Sequence, residues 1–323
     1  MEIITIKDIA NKLKIHPSTV SRALRDDVRV NEKTKKKVKE YAEKFGYVPN
    51  IFASSLAKGK TNLVSLIVPD LIHPYYSELF IELEKNLIDN RYILQLFTTD
   101  FNDLIFEKVI KNSLSLRVSG IIVAYHKIEN LKLPTILIDQ EKNNEYNSIM
   151  VDNFLGAYEA VDYLINIGHK NIAYITDIYT TKEREKGYRK AHIDNGIEVN
   201  ESFVLRKSGR SEDIGYNEGL KILSIKKRPG AIFCGNDFIA IGVMKAALQL
   251  NIKIPEELSI IGFDDLPIVS FLPVPLTTVR QPIKEIAKYS TNLLVEMIKN
   301  PDKKIPTKII KPQLIIRNST IKK

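Results

Sequence analysis

Two groups of residues in this chain combine types and spacing that suit binding chemistry. The first lies in "IHPSTVSRAL", residues 15–24, where Ser18, Thr19 and Ser21 flank Val20 and lead into Arg22. Hydroxyls donate well to phosphates, and a guanidinium can hold the edge of a guanine with two parallel hydrogen bonds. The second group follows a series of apolar runs: Asp70 to Tyr76 in "DLIHPYY", Asp152-Asn153, Arg184, Asn236-Asp237 and Asp264-Asp265. Carboxylates, amides and one guanidinium, with tyrosine faces nearby, suit the vicinal hydroxyls of a sugar and the stacking of its ring.

Catalytic readings of the same residues find little support. Asp264-Asp265 or Glu183 could be cast as the paired carboxylates of a glycosidase. Adjacent carboxylates on an extended segment point apart, however, and the chain carries no glycine-rich phosphate loop, nucleophile elbow or metal motif. His73, His126, His169 and His192 lack metal-ligand spacing. His169 in "NIGHKNI" and the single cysteine, Cys234 in an apolar run without a partner base, read as structural. The expectation is a binding protein with no catalytic residue, metal or cofactor.

Charge narrows the class. The 323 residues carry a net charge of +9, and residues 1–60 hold 14 Lys+Arg against 7 Asp+Glu while the remainder holds 34 against 32. Nearly all of the surplus sits on the first fifth of the chain, as in a small polyanion-binding module attached to a near-neutral domain. No apolar run approaches the ~18 residues needed to span a bilayer, and Met1 to Asp8 lacks the plan of a secretory signal. One cysteine excludes an internal disulfide. These features point to a cytoplasmic protein without a membrane partner.

The first group of residues needs helices to position it, and residues 1–49 read as three. Thr5 caps the first, with Asp8 at the capping-box position and Ile6, Ile9, Ala10 and Leu13 at helical spacing. Pro17 suits the first position of a second helix, where a missing N–H costs nothing, with Val20, Ala23 and Leu24 inward. Asn31 caps a third, with Val38, Tyr41, Ala42 and Phe45 inward and Gly46 ending it. Two short helices, a tight turn and a closing third helix describe a helix-turn-helix unit, whose second helix enters the major groove. A small, polar, basic segment, residues 50–61, follows as a hinge too short to be a stable free helix.

The second group requires strands. Apolar runs at 63–69, 92–99, 120–125 and 135–139 form one series, and 148–152, 171–176, 231–235 and 258–265 form a second. Short apolar runs separated by helices indicate parallel strands buried on both faces, so the two series predict two Rossmann-like subdomains. Crossings near 148–152, 278–282 and 309 would put about 62–148 and 282–308 in the first subdomain and about 149–280 and 309–323 in the second, with helix 283–299 on the first. Ligands of such sheets sit beyond the carboxyl ends of the strands, where the polar residues fall. Asp237 could alternatively serve a helix start, and Asp265 reads better as a cap or a solvent-facing residue than as a ligand contact.

The segment "TIKDIANKLKIHPSTVSRALRDDVRVNEKTKKKVKEYAEKFGYVPN" resembles the headpiece of the LacI family of bacterial transcription regulators. The likeness continues in "ASSLAKGKTNLVSLIVPD", "EREKGYRKA", "FCGNDFIAIG", "IIGFDDLP" and "PLTTVRQP", in order along the whole chain. It implies a helix-turn-helix headpiece, a hinge and a periplasmic-binding-protein-type core of residues 62–323. By position it implies base contacts from Pro17, Ser18 and Arg22, phosphate contacts from Thr5, Thr19, Ser21, Asn31, Thr34 and Tyr47, and further DNA contacts from His16, Asn50 and Ser55. Leu56 would be the apolar wedge in the minor groove. Two departures stand out: Lys14 occupies a turn position where the family usually has glycine, and His16 one where it usually has a serine cap. For an effector, the resemblance implies Arg184, Asp264 and Asn236 first, then Tyr75, Tyr76, Asp152 and Asp237. It further implies a homodimer, without a terminal coiled coil for tetramers, that binds palindromic operator DNA and represses a carbohydrate operon under a sugar-like effector. A purine corepressor is the alternative.

Overall fold

The computed structural model describes residues 4–48, 61–129, 131–139, 146–300 and 308–323. Compactness divides it into two units, Met1–Asn62 and Leu63–Lys323. The hinge residues Asn50, Ser55 and Leu56 lie outside the described residues.

In the first unit, α1 (Ile6–Leu13), α2 (Pro17–Leu24) and α3 (Glu32–Lys44) enclose one small core of Ile9, Ala10, Val20, Ala23, Val30, Val38 and Ala42. Thr5 closes a reciprocal capping box with Asp8: the Thr5 N–H donates to Asp8 Oδ2 at 2.8 Å and the Thr5 hydroxyl donates to the same oxygen at 2.6 Å. These bonds hold the exposed Asp8 carboxyl below its ordinary value. Lys14 ends α1 at φ 52°, ψ 43°, a left-handed conformation that costs a residue with a Cβ roughly 1–2 kcal/mol. Phe45, expected inward, is 45% exposed; it follows the last turn of α3 and packs on the Tyr41 ring instead of the core.

The second unit is built on two six-stranded sheets. The first lobe contains β1 (Leu63–Val68), α4 (Pro74–Asp89), β2 (Ile93–Thr98), α5 (Asp103–Ser115), β3 (Gly120–Ala124), β4 (Thr135–Ile138) and β5 (Asn147–Val151). The second contains α6 (Asn153–Asn166), β6 (Ile172–Asp177), α7 (Lys182–Asp194), β7 (Val204–Lys207), α8 (Ser211–Leu223), β8 (Ala231–Cys234), α9 (Asp237–Gln249), β9 (Ser259–Asp264) and β10 (Thr277–Arg280). Then α10 (Ile283–Lys299) and β11 (Lys308–Ile310) return to the first lobe, and β12 (Gln313–Ile315) closes the second. The sheet orders are β11-β5-β4-β3-β1-β2 and β12-β10-β9-β8-β6-β7, parallel throughout except for the β10–β12 pair. β1, β3, β6, β8 and β9 are buried at every residue, because helices cover both faces, and so they read as continuous apolar runs.

Subdomain boundaries differ from the sequence reading. The strand at 147–151, expected to open the second series, pairs with β4 and β11 and belongs to the first sheet. Residues 309–310, expected in the second subdomain, also lie in the first sheet. The crossings therefore fall at Asp152, at Gln281-Pro282 and at Lys311-Pro312. An apolar run signals a two-face-buried strand but not the ladder it joins, which depends on partners far along the chain. Two glycines in the quoted motifs are close-approach positions. A Cβ on Gly187 would stand 2.3 Å from the Phe154 carbonyl oxygen of α6, and one on Gly262 would stand 2.1 Å from Asp237 Oδ1.

Candidate DNA-reading helix and effector cleft

The recognition segment begins with an unusual cap. His16 Nδ1 accepts from the Ser18 N–H at 3.2 Å and lies 2.8 Å from the Ser18 hydroxyl, so the imidazole does what a serine cap would do. Pro17 is the first residue of α2, Val20 and Ala23 are buried, and Ser18 is exposed beside the half-buried Thr19, Ser21 and Arg22. Arg25 donates to the Ser21 carbonyl at 3.1 Å and to the Ser21 hydroxyl at 3.0 Å. Asn31 caps α3 by accepting from the Thr34 N–H at 2.8 Å. Tyr47 packs half-buried against the core, which raises its phenol above the ordinary value. Thr5 spends its hydroxyl proton on Asp8, so it presents a lone pair and the N-terminus of α1.

In the second unit the polar residues gather at the carboxyl ends of the strands, on the seam between the lobes. Arg184, on α7, is 8% exposed. Its Nε donates to Asn153 Oδ1 at 2.8 Å and its Nη1 to the Gly235 carbonyl at 2.5 Å. The guanidinium lies 3.5 Å from the centre of the Phe263 ring and 3.7 Å from Asp264 Oδ1. Asp264 stands at φ 122°, accepts from Gln281 Nε2 at 2.6 Å, and meets His73 Nε2 at 3.4 Å. His73 precedes α4 of the first lobe, so this pair joins the two lobes. Burial alone would pull the His73 imidazole down, but the bond and charge of Asp264, with Asp70 behind it, carry it above its ordinary value. The His73 ring also meets Phe238 edge-on at 5.4 Å and Tyr76 at 6.2 Å.

Asn236 caps α9 through the Ile239 N–H at 2.9 Å and donates from Nδ2 to Asp177 Oδ2 at 2.9 Å. Asp177 in turn accepts from the Tyr179 and Thr180 N–H groups at 2.9 and 2.6 Å and from the Ser211 hydroxyl at 2.9 Å.

Three expected contacts are otherwise employed. Tyr75 is 5% exposed, and its hydroxyl donates to Asp139 Oδ2 at 2.5 Å, so its ring is not a free stacking face. Asp237 is fully buried, accepting from the Leu266 N–H at 2.8 Å and the Thr278 hydroxyl at 2.6 Å; burial, then the Asp264 charge, raises its carboxyl far above the ordinary value. Asp152 caps α6 through the Leu155 N–H at 2.9 Å. Asp265 does not face solvent. Its carboxylate is 6% exposed and held by Arg280 and Arg317, each at 2.6 Å.

Sequence reasoning missed His73, Asp177 and Gln281 as members of this network. His73 sat inside the quoted "DLIHPYY" but was set aside for lack of metal spacing, and Asp177 closes an apolar run just as Asp264 does. A different arrangement, Thr99 Oγ1 at 2.5 Å from His126 Nε2 and His126 Nδ1 at 3.0 Å from Asp103, has the connectivity of a nucleophile, base and orienting acid. Thr99 is fully buried and also bonds the Val68 carbonyl, so no substrate can reach it. The trio instead fixes the backbone that presents Phe101 and Tyr125.

A small basic helix-turn-helix unit followed by a two-lobed α/β core with polar residues at the strand ends defines a ligand-responsive DNA-binding regulator. Residues 5–50 match the family described as "Bacterial regulatory proteins, lacI family", and residues 161–320 match "Periplasmic binding protein-like domain". The chain is 32% identical to the HTH-type transcriptional regulator DegA of Bacillus subtilis (strain 168), over 98% of each chain. It is 32% identical to Catabolite control protein A of Priestia megaterium, over 91% of this chain and 92% of that one. Among solved structures, the lac repressor dimer bound to operator and the anti-inducer ONPF superposes with a TM-score of 0.89 at 22% identity, covering 99% and 100% of the two chains. The chain belongs to the LacI family: it is a DNA-binding transcriptional regulator with an effector-binding domain, not an enzyme. Among the described residues no helix is long and apolar enough to cross a membrane.

Proposed function

We propose that the protein is a homodimeric repressor of carbohydrate-utilisation genes, released from or held on a palindromic operator by a sugar-type effector. In this reading α2 enters the major groove, with Ser18 and Arg22 at base edges and Pro17 against a base face. His16 contributes its free ring edge at the rim. Thr19, Ser21, Asn31, Thr34, Tyr47 and the α1 terminus beside Thr5 hold phosphates, Asn50 and Ser55 add contacts from the hinge, and Leu56 wedges into the minor groove. The effector lies between the lobes, where Arg184, Asp264, Asn236 and Tyr76 offer hydrogen bonds and a ring face.

The observation that carries the effector reading is the His73–Asp264 contact beside Arg184, a cross-lobe polar pair of the kind a polyhydroxylated ligand would replace. A ligand that trades these contacts for its own hydroxyls shifts the balance between lobe arrangements and hence between DNA-binding states. The purine alternative rests on aromatic and arginine side chains at the same cleft positions, and the burial of the Tyr75 ring removes one of those aromatic faces.

The test is a thermal-shift screen of the full chain against sugars, sugar acids and nucleobases, followed by anisotropy of an operator selected from random DNA. A sugar that raises the melting temperature and changes operator affinity supports the reading; a nucleobase doing so alone refutes it. Operator affinity should fall with salt with a log–log slope steeper than about −5 for six or more phosphate contacts per dimer. Leu56→Ala should weaken operator binding while leaving the sugar shift intact.

A further inference from the structure

We infer that His16 is a positioning residue that sets base specificity through Ser18. Its imidazole accepts the hydrogen bond of the Ser18 hydroxyl, so Ser18 meets the major groove as an acceptor only and selects adenine or cytosine at one position of each operator half-site. The inference rests on the reading that α2 lies in the major groove with Ser18 at a base edge. To that reading it adds the class of base and the residue that decides it.

The backbone places the ring proton. The Ser18 N–H donates to His16 Nδ1 at 3.2 Å, so Nδ1 carries a lone pair and the proton of the imidazole sits on Nε2. Ser18 Oγ lies 2.8 Å from the same Nδ1. A ring nitrogen without a proton only accepts, so the hydroxyl is the donor of that pair. Both donors of Ser18 therefore converge on one nitrogen, and the lone pairs of Oγ are all that the side chain still offers. His16 and Ser18 are both exposed, and among the described residues Nε2 has no partner.

The rest of the segment closes the other roles that Ser18 could play. Pro17 at the first position of α2 has no N–H, the N–H of Ser18 is taken by His16, and that of Thr19 donates to the His16 carbonyl at 2.8 Å. The start of α2 thus presents no free backbone donor to a phosphate. Phosphate oxygens accept and do not donate, so the Ser18 lone pairs find no partner there either. The donors that the major groove does present are the adenine N6 and cytosine N4 amines, whereas guanine and thymine present carbonyl oxygens at that edge. Ser21 is set the opposite way. Its Oγ accepts from Arg25 Nη2 at 3.0 Å, which leaves its own proton for a phosphate. Two serines of one helix carry opposite polarity, and in each case a neighbouring side chain decides it.

The test selects operators from random DNA with the full chain near pH 8. Anisotropy then gives its affinity for operators carrying each of the four bases at the position that Ser18→Ala relaxes, in one half-site. The wild type should favour adenine and cytosine over guanine and thymine there by about five- to tenfold, the worth of one hydrogen bond. His16→Ala frees the hydroxyl to turn and should bring the four bases within about twofold. His16→Asn, whose Oδ1 can accept both Ser18 bonds, should keep the preference. A residue that merely caps α2 would change all four affinities by one factor, so the ratio between bases reads the positioning alone. In the Ser18→Ala background, His16→Ala should leave the ratio unchanged. Nitrogen NMR of the full chain labelled at histidine, with the His16 signal assigned by its loss in His16→Asn, should show the proton on Nε2. A wild-type preference for guanine or thymine, no preference at all, a proton on Nδ1, or a ratio untouched by His16→Ala overturns the inference and leaves α2 as the reading helix. A Ser18→Ala chain that relaxes no position overturns both.

Discussion

Replacing Arg184 by methionine, an apolar side chain of similar reach, separates a structural arginine from one that waits in solvent for ligand. The substitution removes hydrogen bonds of 2.8 Å to Asn153 and 2.5 Å to Gly235, a contact of 3.7 Å to Asp264, and the stack on Phe263. At 3.7 Å and an effective dielectric near 20 the ion pair alone is worth about 4 kcal/mol before desolvation is subtracted. Desolvation offsets much of that in the intact pair, but removing one partner leaves Asp264 buried with its charge less well compensated, which costs about 3–5 kcal/mol. The orphaned Asn153 and Gly235 oxygens are acceptors of the kind that cost roughly 1–3 kcal/mol when left unpaired, and they are included in that sum. For a domain of this size each kcal/mol moves the midpoint by about 2–4 °C, so the effector-free protein should melt roughly 10 °C lower. Asp264→Asn should cost less, since it keeps an acceptor for Gln281. The double variant should be more stable than the sum predicts by about 1–3 kcal/mol. Scanning calorimetry of the four proteins reads this directly. An Arg184→Met midpoint within 2 °C of the wild type, or strict additivity, would refute the buried network.

Two further outcomes follow from groups on the page. His73 has a native pKa raised above the unfolded value of about 6.5, so it adds stability that is full below that pH and fades as pH rises through the native value. The melting difference between wild type and His73→Gln should therefore be largest near pH 6 and shrink toward pH 8.5; growth with pH would contradict the pairing with Asp264. In the headpiece, His16→Ala removes the α2 cap and should cost about 1 kcal/mol, which His16→Ser restores. Urea unfolding of headpiece amides followed by NMR measures it, and an Ala variant as stable as wild type would show that the imidazole does not cap.

The headpiece was legible almost residue by residue because its determinants are local. Thr5, Pro17 and Asn31 announce helix starts within four residues, and Ile9, Ala10, Val20 and Val38 keep helical spacing. Its one misplaced residue, Phe45, lies beyond the last full turn, where spacing no longer dictates direction. The resemblance of "IHPSTVSRAL" and the later motifs carried the class of the protein. In the core, the same local logic located eight of the twelve strands of the described residues, and the short strands β7, β10, β11 and β12 carry no apolar run that marks them.

What tertiary structure alone decided is how those strands and their polar ends combine. Strand 147–151 joined the first sheet because its ladder partners are β4 and β11, the latter some 160 residues away in sequence. Of the carboxylates named for the effector, Asp264 meets His73 across the lobes while Asp237 turns inward to Thr278 and Asp265 lies between two arginines. The Phe101–Tyr179 stack joins residues from different lobes and has no trace in either neighbourhood of the sequence. The physical reason is the same in each case. Caps and periodicity are set by interactions over a few residues, whereas the partner of a buried charge or an aromatic face is set by which distant strand ends the two sheets bring together.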